Sequence, residues 1–141
     1  MWGTGLGGLR VTPTDEYHYP VKGAKRVVLI NYRDFSVESL ETRTGSEHDI
    51  AMLEKLFKYE LAFDVKTHEN LDIEQSTATI AAIAEGSQDI ACIVLVLSSH
   101  GRTGGAVKTQ DGEDLFVGRD VIDELSECQA LKNVPKIVIG K

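Results

Sequence analysis

Apolar residues fall into two rhythms along this chain. Val27, Val28, Leu29 and Ile30 follow one another without a break, Ile90 to Leu97 do the same, and Lys136 to Ile139 follows Pro135 in the same way. Short unbroken runs rich in β-branched side chains predict strands covered on both faces. Between them the spacing changes. Ile50, Leu53, Leu56, Phe57 and Leu61 recur as one helical stripe. Thr44 and Ser46, each with an acid three residues on (Glu47 and Asp49), offer that helix an N-terminus.

A short strand is predicted from Phe63 to Lys66. A second helix is predicted over Leu71 to Ala84, with Ile73, Ile80, Ile83 and Ala84 inward and Gly86 ending it. Ser98 to Gly105 reads as a polar, glycine-rich loop. Ala106–Thr109 and Leu115–Val117 then flank a hairpin turning near Asp111-Gly112. Val121, Ile122, Leu125 and Cys128 are expected on one face of a third helix. Strands alternating with helices predict an α/β fold, a mostly parallel sheet with helices on both faces. Such sheets hold their chemistry at the C-terminal ends of strands. Here that means the loop after Leu97 and the end of Ile139.

Composition narrows the function classes. With 141 residues, 42% hydrophobic and 26% charged, the chain suits one domain with a single buried region. Its longest apolar run is too short to cross a bilayer, and the N-terminus lacks a signal-peptide layout, so no membrane role and a cytoplasmic location are expected. The net charge of −7, without a cluster of Lys and Arg, argues against nucleic acid as a partner. Residues 1–20 are rich in Gly with few large apolar side chains and read as a flexible leader before a domain over 21–141. Their Gly3, Gly5 and Gly8 form a nominal GxGxxG, but no strand precedes it. His18, His48, His68 and His100 lack zinc-ligand spacing, so neither metal nor cofactor is expected. Cys92 and Cys128 lie among apolar neighbours and read as packing thiols.

The remaining chemistry lies in the loop Ser99-His100-Gly101-Arg102-Thr103-Gly104-Gly105. A lone His beside Gly is most simply a solvated loop residue. At the end of a buried strand, however, a loop can hold an imidazole rigidly while leaving it open to substrate. A free Gly101 N–H there could stabilise an oxyanion. Arg43, taken alone, reads as a surface residue beside a helix start.

In this context the chain resembles the caspase family. Ser99-His100-Gly101 with Gly104 is similar to its SHG loop. Thr42-Arg43-Thr44-Gly45-Ser46-Glu47-His48-Asp49, with Leu53 and Phe57, resembles its R-x-G-x-x-x-D-x-x-x-L-x-x-x-F helix start. Leu61-Ala62-Phe63-Asp64-Val65 is similar to L-G-F-x-V with Ala62 in place of Gly, and Asp111-Gly112 resembles the hairpin dipeptide. Cys128-Gln129-Ala130-Leu131 through Pro135-Lys136-Ile137 is similar to C-x-x-L-x-x-K-P-K-L, with Val134 at the first Lys. Tyr17 to Pro20 has the look of an effector-type member. The likeness runs from Tyr17 to Lys141.

The resemblance implies a caspase-like three-layer sandwich, here lacking the small-subunit strands. It also implies aspartate-directed cleavage of peptide bonds by a Cys–His dyad in apoptosis. His100 would be the imidazole, Gly101 an oxyanion-hole donor, and Arg43 a guanidinium fork in the S1 pocket pairing with the substrate Asp. The family's nucleophile follows in a Q-A-C-x-G stretch; here Lys141 falls on the Gln position and no Cys occurs after Cys128. The expectations that follow are a large-subunit portion inactive by itself and a last strand that wants a partner, a caspase small subunit or another caspase chain. The alternative is a nucleophile-less homologue that binds active caspases as decoy or regulator.

Overall fold

The computed structural model describes residues 23–85, 89–102 and 104–140. The leader expected over 1–20, with Tyr17 to Pro20, and the helix-ending Gly86 lie outside them. The elements are β1 (Ala24–Asn31), α1 (Ser46–Lys55), β2 (Asp64–Glu69), α2 (Ile73–Glu85) and β3 (Ile90–Ser98). After them come β4 (Gly101–Arg102), β5 (Ala106–Lys108), β6 (Asp114–Phe116), α3 (Asp123–Glu127) and β7 (Lys136–Gly140). A wide π-helical turn, Leu56–Glu60, extends α1, and another, Val117–Ile122, leads into α3.

β2, β1, β3 and β7 form one parallel sheet in that order. The uninterrupted apolar runs are explained by this arrangement, because β1 and β3 lie in its interior and both faces are covered. Alternate side chains sort into two clusters. Val28, Ile30, Tyr32, Ile93, Leu95 and Leu97 pack with Ile80 of α2 and Leu125 of α3. Val27, Leu29, Val94 and Val96 pack on the opposite face with Ile50 of α1 and Phe57 after it. Helices therefore cover both faces, as the alternation predicts. Each fully buried Leu or Ile contributes roughly 1.5–3 kcal/mol, so the two inner strands supply much of the stabilisation. β4, β5 and β6 form a small antiparallel sheet beside this one.

Three local expectations need correction. α1 is capped neither by Thr44 nor by the Ser46 side chain; its N-cap is Gly45, at φ 94°, with no side-chain cap bond. Ser46 Oγ instead accepts a hydrogen bond from Asn31 Nδ2 at 3.1 Å, so a long-range bond displaced the local one. Ile122 is 45% exposed while Val121 and Leu125 are buried. Val121 and Leu125 lie one helical turn apart, and Ile122, one residue on from Val121, is turned away from that face. The Ser98–Gly105 segment is not wholly a loop, since Gly101 and Arg102 pair with Val107 and Ala106.

Candidate active site

β1 and β3 end their apolar runs at the same level of the sheet, and the more polar β2 ends beside them. In register, Glu69 of β2 faces Asn31 of β1, and Asn31 faces Ser98 of β3. These polar residues form a row across the C-terminal edge, where backbone leaves the sheet in loops. Arg43 and His100 are carried by those loops.

The β1–α1 loop brings Arg43 back over the row. Arg43 N–H donates to the Arg33 carbonyl at 2.9 Å, and Ser46 N–H donates to the Arg43 carbonyl at 3.1 Å. The guanidinium then donates through one Nη to Asn31 Oδ1 (3.1 Å) and the Tyr32 carbonyl (2.9 Å), and through the other to Ser98 Oγ (2.8 Å). All three acceptors are neutral. Among the described residues no carboxylate pairs with Arg43 at salt-bridge distance. Partial burial lowers the Arg43 pKa, opposed by the more distant Asp49 charge. A half-buried guanidinium held only by neutral oxygens keeps its charge available, and its remaining N–H groups suit a carboxylate.

His100 follows β3 by two residues. Ser99 Oγ donates to the Lys108 carbonyl, and Lys108 N–H donates to the His100 carbonyl at 3.0 Å, which fixes the loop against β5. The imidazole Nε2 lies 2.7 Å from the Glu41 carbonyl oxygen. A carbonyl only accepts, so the neutral ring carries its proton on Nε2 and presents Nδ1 as a base. Phe35 packs on the ring at 5.1 Å between centroids and 37° between planes. The imidazole is thus oriented by a backbone oxygen and an aromatic neighbour. That arrangement suits proton transfer to and from a nucleophile.

Gly101 opens β4, the outer strand of the small sheet. Lys108 N–H bonds His100, so His100–Lys108 is a hydrogen-bonded pair, and the next pair, Gly101–Val107, is a non-bonded one. The Gly101 N–H therefore points away from β5 on an exposed residue, as an oxyanion donor must.

Two bonds tie the loops to each other: Glu41 to His100, and Arg43 to Ser98. The three residues singled out from the sequence are brought to one mouth of the sheet. Asn31, Ser98, Glu41 and Phe35 were not anticipated. Asn31 and Ser98 carry a legible signal, each being the first polar residue after an apolar run; Glu41 acts through its backbone and leaves none.

The cysteines lie elsewhere. Cys92 pairs with Lys25 near the start of β3, roughly 20 Å of strand before Ser98 at about 3.3 Å per residue. Burial raises its thiol pKa, with the Lys25 charge opposing. Cys128 is half-buried after α3 and packs against the β1–β3 cluster. Among the described residues no group of His, Cys, Asp and Glu is placed to hold a metal, and no helix is long and apolar enough to cross a membrane.

A family model of the caspase domain matches residues 24–140. Chicken (Gallus gallus) Caspase-7 is 31% identical over 129 residues, 90% of this chain and 41% of its own length. Human (Homo sapiens) Caspase-14 is 28% identical over 131 residues, 89% of this chain and 50% of its own. The crystal structure of Caspase-1 from Spodoptera frugiperda has the same fold, with a TM-score of 0.80 at 24% identity, covering 94% of this chain and 54% of that one. The chain spans half or less of the length of these two sequence relatives.

Proposed function

This chain belongs to the caspase family, and from that premise we propose that it furnishes the imidazole, S1 and oxyanion half of a cysteine endopeptidase that cleaves after aspartate in apoptotic proteolysis. The observation that carries the reading is the pair of bonds holding His100 and Arg43 over one row of polar residues. In this reading residues 21–141 are a large-subunit-like domain, preceded by a leader over 1–20, acting in the cytoplasm.

The substrate Asp carboxylate pairs with the Arg43 fork, which places the scissile carbonyl beside His100. Cys92 lies near the start of β3 and Cys128 packs against the cluster between the sheet, α2 and α3, so in this reading the attacking thiol comes from outside these 141 residues. His100 Nδ1 takes the thiol proton, sulfur attacks the carbonyl carbon, and the Gly101 N–H donates to the oxyanion. Collapse of the adduct breaks the C–N bond as His100 returns the proton to the leaving amine. Water then releases the acyl group by the same acid–base exchange. The apolar strand β7 has β3 on one side and an open edge on the other among the described residues. A caspase small subunit or another caspase chain would pair there.

The placement of the two thiols also favours a second reading, a homologue that docks onto active caspases as a decoy. One experiment separates them: aspartyl-peptide hydrolysis by this chain complemented with the thiol-bearing strand and small subunit of a caspase. Turnover lost in His100→Ala supports the endopeptidase reading. Absence of turnover, with inhibition of an active caspase by the 141-residue chain in trans, supports the decoy. Turnover that survives His100→Ala sinks the catalytic assignment.

A further inference from the structure

Asn31 is fully buried, yet every polar atom of its side chain is engaged. Its Oδ1 accepts from Arg43 at 3.1 Å, while Nδ2 donates to Ser46 Oγ at 3.1 Å and to Glu69 Oε2 at 3.2 Å. Arg43 can only donate and an ionised Glu69 can only accept. One amide orientation satisfies both, with Oδ1 toward the guanidinium and Nδ2 toward the carboxylate. The three residues thus form a relay across the sheet edge, from the exposed Glu69 of β2 through β1 to the S1 loop.

We propose that Asn31 is a positioning residue that sets the S1 guanidinium, with Glu69 locking its amide, and that its neutrality keeps Arg43 selective for an anionic side chain. This deepens the reading of Arg43 as the aspartate's partner and rests on it. Aspartate at position 31 would have almost the same shape. It would place one carboxylate oxygen on Arg43, neutralising the charge the substrate needs, and turn the other toward Glu69, where two acceptors meet without a donor. Leucine or alanine would cost Arg43 one of its three acceptors and Glu69 its amide donor. The amide links a donor to an acceptor across this gap without adding charge. Desolvation at the sheet edge raises the Glu69 pKa, opposed by the hydrogen bond from Asn31.

The relay is tested first in the 141-residue chain by NMR of the Arg43 guanidinium. Wild-type Nη groups held by three oxygens should give separate, slowly exchanging signals. Asn31→Ala leaves the Tyr32 carbonyl and Ser98 Oγ in place, so it should shift and broaden the signal of the Nη that Asn31 holds while the other stays sharp. Glu69→Gln, an exposed change that spares the core, should do so more weakly. Signals unchanged from wild type in both variants would overturn the positioning role without bearing on catalysis. In the thiol-complemented protease, Asn31→Asp should raise KM for an aspartyl reporter on the order of tenfold with kcat nearly unchanged. An unchanged KM would overturn the selectivity claim, and a fall in kcat alone would mark Asn31 as merely structural. If no variant or wild type turns over, the endopeptidase reading fails while the NMR result still decides the relay.

Discussion

Removing the Tyr32 hydroxyl tests whether the loop that carries Arg43 is anchored in the protein interior. Tyr32 and Ser76 of α2 are both fully buried, and Tyr32 Oη lies 2.7 Å from Ser76 Oγ. The Tyr32 carbonyl also holds Arg43, so the ring fixes the residue that follows Asn31. Tyr32→Phe removes the present partner of the Ser76 hydroxyl, and Ser76→Ala removes that of the phenol. Each should cost about 1–3 kcal/mol, the desolvation penalty of an orphaned buried group. The Tyr32 loss should fall toward the low end, because Ser76 can turn its hydroxyl onto the Asp72 carbonyl one helical turn back. The double variant orphans nothing and should lose only about 0.5–1.5 kcal/mol, less than the two single losses together.

Urea unfolding of the four proteins at constant m-value gives this cycle. Burial raises the Tyr32 pKa to about 12 from the usual 10.0, with the Ser76 bond opposing. Below pH 10 the phenol is protonated in both states. Between pH 10 and 12 the unfolded chain ionises first, so wild-type stability should fall by roughly 2–3 kcal/mol across that window. Tyr32→Phe should lack that component of the fall. Simple additivity of the two substitutions, or an identical alkaline loss in Tyr32→Phe, would refute the pairing.

Gly23→Ala should destabilise by about 2–4 kcal/mol, because Gly23 sits at φ +111° and an added Cβ would lie 2.3 Å from the Asp89 carbonyl oxygen; a melting temperature within a degree of wild type would contradict this. Ile122→Ser should change stability by under about 0.5 kcal/mol, since Ile122 is 45% exposed; a loss of several kcal/mol in urea would restore the buried face expected from the sequence. Arg43→Lys in the thiol-complemented protease should lower kcat/KM for an aspartyl reporter on the order of 100-fold, because an ammonium cannot form the planar fork. Near-wild-type turnover would place the S1 cation elsewhere.

The strands of the main sheet were legible because burial on both faces leaves an uninterrupted apolar run, which Val27–Ile30 and Ile90–Leu97 display. The α1 stripe was legible because Ile50 and Phe57 must reach one face of the sheet. Local rules failed where a distant partner competed. Ser46 looks like a cap by its neighbours, but its hydroxyl accepts from Asn31, 15 residues earlier in the chain, and Gly45 takes the cap position. Gly101 and Arg102 look like loop because a two-residue strand has no periodicity to read. Ile122 looks buried from its place beside Val121, but it is turned away from the face that Val121 and Leu125 share.

The site itself was legible only in its outer members. His100, Gly101 and Arg43 stand out as a strand-end loop and a motif-like helix start, but nothing local says that they meet. What brings them together is register. Asn31 and Ser98 each end an apolar run, and the parallel pairing of β1 with β3 sets them side by side, both accepting from Arg43. A one-residue slip would turn one of the two to the opposite face and leave the guanidinium half held. The same apolar runs that stabilise the sheet therefore fix the register, and the register places the charge. Substitutions that loosen the pairing of β1 with β3 should free the Arg43 guanidinium, read as a loss of its resolved Nη signals by NMR, before they unfold the chain.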